Sequence, residues 1–440
     1  MPLSRIFGRG RTDAPPASQD DDAPSVEPDA GEPETDLESE PETATHATWH
    51  ERAERIIPTG ASTGSKRAAS LYGDVAADLP THFASARGAV LTDADGIEYL
   101  DCTMALGAVA LGYREPRVTE AVVQAATQGN VSALSSWREV ELAERLHAII
   151  PCAERVLFMK TGAEAAAAAV RLARTYTARE QVIACGYFGW HDWCSDSAGV
   201  PASVRRTVDW VPFDEIGALD LAAAAAGSSL AAIVLEPVIE HLPSVEWLQR
   251  AREICDATGA ALIFDELKTG FRVAPGGYQE VSGVTPDLAV FGKALANGYP
   301  LAALAGHDAL MSAAAETWIS STLASESTAL AAALAVLDWH EEADICATLA
   351  ETGREMRAAV DRAIAASGVE GVTTEGIDPM WLMRWSDPAL ESFFVAEAAR
   401  NGVLFKRGAY NFAAVAHDDA ALRDIEAAAS AALVAVREHS

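Results

Sequence analysis

The chain has 440 residues, half of them hydrophobic, and carries a formal net charge of −31 at pH 7. This length predicts two or three domains built on a large core. A chain this acidic repels nucleic acid and anionic membranes, and we find no apolar run long enough to span a bilayer. The first residues, MPLSRIFGRGRTDAPP, lack the apolar region of a secretory signal, so we expect that they are not one. We therefore expect no nucleic-acid partner and no membrane association.

Residues 1–48 differ in composition from the rest of the chain. Up to residue 50, twelve Asp and Glu stand against three Arg, a net charge of 3 − 12 = −9, and seven prolines interrupt the segment. Such a segment buries too little apolar surface to offset its loss of conformational entropy. We predict a disordered acidic tail, and nothing in it resembles a binding motif.

The cysteines are scattered along the chain, and none forms a C-x-x-C pair or a zinc-ligand spacing with histidine. This pattern is typical of free thiols in a reducing cytoplasm, and it predicts no metal site. The six residues are Cys102, Cys152, Cys185, Cys194, Cys255 and Cys346.

Beyond Trp49 the pattern becomes globular. Two apolar alternations flank the turn DADG within residues 85–103 and predict a hairpin, which we assign to a small N-terminal lobe at residues 49–105. Strands then alternate with helices, which predicts parallel β-α-β units with helices on both faces of one sheet. These elements, assigned to a large domain at residues 106–314, are strands 156–159, 181–187, 231–238, 261–266 and 287–292 and helices 163–180 and 244–259.

The character of the chain changes after about residue 315. Residues 327–366 predict one long helix or two consecutive helices. Short apolar segments follow at residues 381–385 and 402–405, and a final helix is predicted from Ala420 to Glu438. This α+β pattern predicts a smaller C-terminal domain at residues 315–440.

Two residues at predicted strand ends point to chemistry. Lys293 follows the strand at 287–292, and Asp265 lies at the end of the strand ALIFDE. A buried lysine has a lowered pKa and attacks carbonyl groups. A carboxylate at the carboxyl edge of an α/β sheet can keep a heteroaromatic ring nitrogen protonated. Taken singly, Lys293 could equally reach solvent from its strand end, and Asp265 could cap a helix.

Two further motifs also follow strands. In MKTGAEAAAAAVRLAR, the turn Thr161-Gly162-Ala163 opens a long helix whose first N–H groups favour a phosphate. The motif is neither a Walker loop nor a dinucleotide-binding G-x-G-x-x-G. In CGYFGWHDW, the aromatic cluster could stack on a flat ligand or pack in the core. Together the four features predict a phosphate cradle, a stacking ring, a ring-nitrogen acid and a lysine nucleophile at strand ends.

From about Ile57 to its C-terminus, the chain resembles the class III aminotransferases. Within that family it is similar to the branch of glutamate-1-semialdehyde 2,1-aminomutase. The most specific segment, Leu262–Gly306, reads LIFDELKTGFRVAPGGYQEVSGVTPDLAVFGKALANGYPLAALAG, and KTGAEAAAAAVRLARTYTARE, GYFGWHDW and STLASESTALAAALAVLD add to it. The resemblance implies the PLP-dependent transferase fold of type I. This is an α/β fold with a mostly parallel sheet flanked by helices and a smaller α+β C-terminal domain, and its cofactor is pyridoxal 5'-phosphate (PLP).

The resemblance also implies roles for individual residues around the cofactor ring. Lys293 matches the lysine that forms a Schiff base with the cofactor, and Asp265 matches the aspartate that faces the pyridine nitrogen. Leu267 matches an aliphatic side chain on one face of the ring, and Tyr187 matches the aromatic ring on the other face.

Other matching residues concern the cofactor phosphate. Thr161, Gly162 and Ala163 match the phosphate-binding turn at the helix start, and Thr322 matches a threonine that reaches the phosphate of the neighbouring subunit's cofactor. This last match implies a homodimer with active sites at its interface.

The chain departs from the family pattern mainly where the substrate is recognised. The arginine that takes the substrate carboxylate falls near Lys66 and Arg67, and the alignment does not choose between them. Near the C-terminus, GVLFKRGAYNF adds Lys406 and Arg407. These four residues are the candidate substrate ligands, and we expect a small amino donor and a carbonyl acceptor as partners.

Three functions remain open at this point. The first is an aminotransferase that moves an amino group from a donor to a carbonyl acceptor. The second is an aminomutase, in which donor and acceptor are the same carbon skeleton. The third is a non-catalytic protein of the PLP fold, against which the joint presence of Lys293 and Asp265 argues. We expect the first of these, in the cytoplasm.

Overall fold

A computed structural model describes residues 46–74 and 79–439. The predicted acidic tail at 1–48 lies outside these residues except for its last three, because the first helix begins at His46. The strands are β1 (Phe83–Arg87), β2 (Val90–Asp93), β3 (Glu98–Asp101), β4 (Arg155–Met159), β5 (Gln181–Cys185), β6 (Val208–Trp210), β7 (Leu230–Leu235), β8 (Ala261–Asp265), β9 (Leu288–Phe291), β10 (Ala302–Gly306), β11 (Val372–Ile377), β12 (Met380–Trp385), β13 (Val403–Leu404) and β14 (Asn411–Phe412).

The helices alternate with these strands through the middle of the chain and dominate after it. They are α1 (His46–Ile56), α2 (Ala68–Tyr72), α3 (Met104–Gly107), α4 (Pro116–Thr127), α5 (Trp137–Ile149), α6 (Gly162–Thr177), α7 (Ala202–Arg205), α8 (Ile216–Ala226), α9 (Val245–Thr258), α10 (Tyr278–Ser282), α11 (Asp308–Ser312), α12 (Ser327–Glu342), α13 (Ile345–Ser367), α14 (Pro388–Arg400) and α15 (Asp419–His439).

The central sheet has the strand order β4-β10-β9-β8-β7-β5-β6. Strand β10 runs antiparallel to both of its neighbours, and the other six strands are parallel to one another. Every residue of β7, β8 and β9 is buried, as expected of a parallel sheet that is covered on both faces. The predicted α/β architecture with a mostly parallel sheet is therefore confirmed.

Strand β9 shows how the sheet divides the core into two layers. Leu288 and Val290 belong to the hydrophobic cluster that contains the buried face of α6. Ala289 and Phe291 point the other way, into the cluster formed with α5 and α12. Successive side chains of a strand alternate between faces, so this short apolar strand packs against helices on both sides. The segment after β9 therefore begins from a strand that is packed on both faces.

Two smaller sheets flank the central one. The predicted hairpin is formed by β2 and β3, and Asp93 Oδ1 accepts hydrogen bonds from the backbone N–H groups of Asp95 and Ile97, both at 2.9 Å. Strand β13, from residues 403–404, extends this sheet in parallel to β3. The N-terminal lobe thus shares a sheet with the C-terminal part of the chain, and the domain division stays a prediction.

The third sheet, β11-β12-β14, is antiparallel and lies with helices α13, α14 and α15 in the C-terminal part of the chain. The segment predicted as one helix or two is two helices, because the backbone is extended at Ala343 and Asp344 caps α13 by accepting a hydrogen bond from the Ala347 N–H. Among the described helices, none combines the length and apolar character that crossing a bilayer requires.

Candidate active site

Lys293 and Asp265 lie at the ends of neighbouring strands of the central sheet. Asp265 is the last residue of β8 and pairs in register with Val290 of β9, and Lys293 begins a short 3-10 turn two residues after β9 ends. Lys293 has a φ of 48°, in the left-handed region that side-chain-bearing residues seldom adopt. Such a backbone costs on the order of 1–3 kcal/mol and persists where the surrounding structure imposes it.

The turn after Lys293 is fixed by Asn297, which is buried. Its Oδ1 accepts hydrogen bonds from the N–H groups of Ala110 and Leu111, both at 3.0 Å, and its Nδ2 donates to the carbonyl of Gly112 at 3.0 Å. One side chain therefore ties the turn to the segment that follows α3. The position of the lysine is set by contacts far apart in sequence.

Asp265 has one satisfied and one unsatisfied oxygen. Its Oδ1 accepts a hydrogen bond from the N–H of Leu267 at 3.0 Å, whereas Oδ2 is buried and has no hydrogen-bond partner in the described part of the chain. Burial raises the pKa of Asp265 to about 7, and the Leu267 N–H and the Lys293 cation oppose that rise. A buried acceptor without a partner is costly, so Oδ2 is suited to a ligand that donates a hydrogen bond.

The same environment shifts the pKa of Lys293 in the opposite direction to that of Asp265. Burial lowers the pKa of its amine to about 8, the Asp265 carboxylate opposes the shift, and the Arg272 cation adds to it. A larger share of this amine is therefore neutral near pH 8 than for an exposed lysine, which favours attack on a carbonyl carbon. Arg272 is itself held in place by hydrogen bonds to the carbonyls of Gly107, Pro379 and Ala413.

The phosphate cradle is predicted at the start of α6. Thr161 and Glu164 make a reciprocal capping box, so the Thr161 hydroxyl is engaged with the Glu164 N–H at 3.2 Å. In the described chain, the N–H groups of Gly162 and Ala163 have no acceptor, and they remain as donors at the positive end of a 16-residue helix. The Thr161 side chain therefore caps α6, and the binding of a phosphate by Thr161, Gly162 and Ala163 stays a prediction.

Leu267 packs against this cradle. A Cβ atom at Gly162 would lie 2.2 Å from Leu267 Cδ1, and one at Gly292 would lie 2.6 Å from Leu267 Cδ2. The leucine is therefore wedged between two glycines, one at the helix start and one immediately before Lys293. The predicted ring-packing side chain, the helix start and the lysine share one small region.

The aromatic segment after β5 reaches the same region. A Cβ atom at Gly189 would lie 2.5 Å from the Cβ of Ala163, so the segment rests on the start of α6. The Tyr187 N–H donates to Glu236 Oε2 at 3.2 Å, and its side chain is 76% exposed. An aromatic ring with this exposure at the site can stack on a flat ligand, and its stacking role stays a prediction.

The sequence analysis missed three residues that line the site. Lys268 forms an ion pair with Glu236, and its Nζ lies 4.4 Å from the centre of the Tyr410 ring. Both charged residues had a signal in the sequence: Glu236 directly follows the apolar strand β7, as Asp265 ends β8, and Lys268 is one of only five lysines. Tyr410 comes from a loop that is distant in the sequence, and no sequence pattern pointed to it as a site residue.

The four candidate substrate ligands come together around α2. Lys66 and Arg67 lie just before this helix and are exposed. Arg407 Nη1 and Lys406 Nζ each lie 3.5 Å from a carbonyl of α2, those of Ala69 and Ser70 respectively. Burial, followed by the Arg407 cation, lowers the pKa of Lys406. The structure therefore gathers four cations, and their role in substrate binding stays a prediction.

Thr322 lies on a different surface. It is exposed and lines a cavity of about 340 Å³ together with Leu134 and Trp137, both of which are also exposed. Its loop is connected to the phosphate cradle through Lys160, which precedes Thr161 and pairs with Glu326 at 2.9 Å in a buried ion pair. Two other cavities, of about 770 and 720 Å³, lie beside β1–β3 and on the outer side of α6, and neither is lined by Asp265 or Lys293.

Comparison with known proteins identifies this arrangement. The sequence profile of the family described as Aminotransferase class-III matches residues 72–192 and 212–414. A 3-aminobutyryl-CoA aminotransferase of Cloacimonas acidaminovorans is 34% identical over 72% of the chain and 78% of its own length. A glutamate-1-semialdehyde 2,1-aminomutase of Opitutus terrae is 32% identical over 87% of the chain and 97% of its own length.

Solved structures show the same likeness in three dimensions. The FumI protein of Sphingopyxis sp. MTA144, solved in a PLP-bound form, superposes with a TM-score of 0.85 at 28% identity, over 90% of this chain and 97% of that one. This likeness confirms the predicted type I fold of PLP-dependent transferases. The residues of the site fit such a cofactor, because a buried carboxylate oxygen without a partner and two unpaired helix N–H groups are available to it.

Proposed function

Since the chain belongs to the class III aminotransferase family, whose members use PLP, we propose that it transfers an amino group from a donor to a separate carbonyl acceptor, with Lys293 as the residue that holds the cofactor covalently. The observation that carries the proposal is the juxtaposition of Lys293 with the unpartnered Oδ2 of Asp265 at the ends of β9 and β8. PLP supplies an electron sink, which requires a protonated ring nitrogen.

Each residue of the site then has a defined task. Asp265 Oδ2 accepts the hydrogen bond of the ring nitrogen, and Gly162 and Ala163 donate backbone N–H groups to the phosphate. Once an amino donor has taken its place, Lys293 Nζ would take a proton from the donor's Cα and would return one to the cofactor carbon that the lysine had held, as general base and acid. Its pKa of about 8 lies close enough to neutrality for both steps.

The substrate we propose carries an anionic group. Lys66, Arg67, Lys406 and Arg407 gather around α2 in a chain whose net charge is −31, so this cluster stands out from an otherwise acidic protein. A carboxylate or phosphate on the donor or acceptor would be attracted to it. Replacement of Lys66 or Arg67 by Met should raise KM for acidic substrates, and an unchanged KM would remove that residue from the site.

The aminomutase remains the second candidate, because the Opitutus terrae relative of that name matches 87% of the chain. The two functions differ in whether an external amino donor is used. We would record the visible spectrum of the PLP-loaded protein before and after adding L-glutamate alone. Loss of the visible band would mean that glutamate has given its amino group to the cofactor, and it would support the aminotransferase.

A visible band that persists with glutamate and other donors but changes with glutamate 1-semialdehyde would support the aminomutase. Failure to form any band with added PLP would contradict the proposal as a whole. It would instead favour the third reading, a protein that keeps the fold without the catalysis.

We further propose a homodimer. The support is a set of exposed apolar side chains in the loop before α5, in the first turn of α5 and in the loop before α12, which contains Thr322; exposed patches of this kind are typical of interfaces. They are Val131, Leu134, Trp137, Val140, Trp318 and Leu323. We also propose a cytoplasmic location, supported by six cysteines that are all buried and unpaired.

A further inference from the structure

A second lysine lies beside Lys293. The side chain of Lys268 is only 13% exposed, its ion-pair partner Glu236 is 7% exposed, and the Tyr410 ring covers its Nζ at 4.4 Å. Burial, followed by the positive charge at Lys293, lowers the pKa of Lys268 to about 7. The site thus contains two lysines, and within the described residues Lys268, unlike Lys293, has a carboxylate at ion-pair distance.

Glu236 is held firmly in this position. Its Oε1 pairs with Lys268 and its Oε2 accepts the Tyr187 N–H at 3.2 Å. A Cβ atom at Gly186, whose φ is 134°, would lie 2.5 Å from the Cβ of Glu236, so only glycine lets the chain pass this close. The Glu236 carboxylate is therefore held in place by the backbone that follows β5. It cannot move with the Lys268 side chain if that side chain shifts.

We propose that Lys268 and Glu236 form a positioning pair that sets the charge on the Lys293 nitrogen, with the Glu236 carboxylate cancelling the Lys268 cation. The inference rests on the proposed function, since it concerns Lys293 when it holds PLP. In a poorly hydrated site an unbalanced charge acts strongly on a neighbouring nitrogen, whereas a tight pair of opposite charges acts weakly.

The other charged and titratable groups around the two lysines come from five parts of the chain. Each of them is unchanged in the variants below, so differences between variants report on the pair itself. They are Asp265 and Glu266 at the end of β8, Arg272 beyond them, Tyr187 and Cys194 after β5, Glu240 after β7, and Arg384 and Tyr410 from the C-terminal part of the chain.

The test compares Lys268→Met, Glu236→Gln and the double variant with the native protein, each loaded with PLP. The measured quantity is the pH at which the visible absorbance of the cofactor on Lys293 titrates. Lys268→Met leaves the carboxylate unbalanced and should raise this midpoint by about one pH unit, and Glu236→Gln leaves the cation unbalanced and should lower it by about one pH unit. The double variant should return close to the native midpoint.

If the pair had a purely structural role, the two single variants would not shift the pH midpoint in opposite directions, and the double variant would not restore it. Midpoints that do not move, or that move in the same direction in both single variants, would overturn the inference. If Lys268→Met does not fold, Lys268→Gln serves in its place with the same expected direction. Peptide mapping after borohydride reduction must locate the cofactor on Lys293 in every variant; an adduct on Lys268 would also overturn it. A native protein that forms no band with PLP would refute the proposed function instead.

Discussion

Asp265 and Lys293 lie at one edge of the sheet because β8 and β9 are adjacent, parallel and in a register that pairs Asp265 with Val290. The carboxylate ends one strand and the amine begins the turn after the next. Each alters the other, since the Asp265 carboxylate opposes the fall in the pKa of Lys293, and the Lys293 cation opposes the rise in that of Asp265.

Lys293→Ala should abolish the covalent link to PLP, because we assign the link to this amine and the neighbouring Lys268 is engaged with Glu236. We expect no visible band and no borohydride-stable adduct by mass spectrometry of the peptides. Lys268→Met is the matched control, since it removes the neighbouring lysine and leaves Lys293 in place. An adduct found on Lys268 in the Lys293→Ala protein would show that the nucleophile has been assigned wrongly.

The adjacent carboxylates Asp265 and Glu266 should behave differently when each is replaced by its amide. Asp265→Asn loses the charge that holds the ring nitrogen protonated, and turnover should fall about 100-fold or more while the fold is kept. Glu266 accepts hydrogen bonds from the N–H groups of Tyr278 at 2.8 Å and Gln279 at 3.0 Å and from the Thr269 hydroxyl. Glu266→Gln should therefore lower the free energy of unfolding by about 1–3 kcal/mol and keep the cofactor band.

Equal effects of the two replacements on turnover and on urea unfolding would contradict this division of roles. Both quantities can be measured on the same preparations. A normal rate for Asp265→Asn would remove the argument that its Oδ2 serves the cofactor ring.

Gly162→Ala should weaken PLP binding. The new methyl group would lie 2.2 Å from Leu267 Cδ1, and Leu267 cannot retreat freely because it also packs on Gly292. Overpacking of this kind costs about 1–3 kcal/mol, which corresponds to roughly a tenfold or larger rise in Kd. Gly217→Ala in α8 is the control, because no atom lies within 4 Å of its Cβ position. Equal Kd values in both variants, from titration with PLP, would contradict the cradle.

The stability of the cofactor-free protein should depend on pH through Lys293. Its pKa is about 8 in the folded protein and 10.5 when unperturbed, so the buried cation destabilises the fold fully below pH 8, by about 3 kcal/mol, and the cost disappears as the pH rises through 10.5. Lys293→Met removes the cation. Its advantage in urea unfolding should be largest at pH 7 and smaller by about 2 kcal/mol at pH 9.5. An advantage that is constant with pH would mean that the amine is not buried as a cation.

Leu134→Glu should separate the proposed dimer. Leu134 is 82% exposed and lines the cavity that contains Thr322, and a charge there would have to be buried in the interface. Leu221→Glu in α8 is the matched control, because Leu221 is 75% exposed but lies outside that surface. Analytical ultracentrifugation should find a dimer for the native and control proteins and a monomer for Leu134→Glu. A native protein that sediments as a monomer would contradict the proposed homodimer.

The local pattern of the chain was enough to predict most of the central sheet. Apolar runs such as LAAIVL and ALIFD are continuous because both faces of a parallel sheet are covered, and the capped helix after Thr161 is visible in its sequence. The strand-end positions of Lys293, Asp265 and the Gly162 turn follow directly from those runs. Composition similarly indicated the acidic tail, which lies outside the described residues.

Tertiary structure alone decided which distant residues meet. Lys268, Glu236 and Tyr410 come from three segments, and their ion pair and ring contact depend on how β7, β8 and the C-terminal loop are placed. The same holds for the Asn297 contacts with residues 110–112 and for the addition of β13 to the N-terminal sheet. Sequence periodicity reports which face of an element is buried; it carries no information on which partner covers that face, because any apolar surface of suitable shape satisfies the hydrophobic effect.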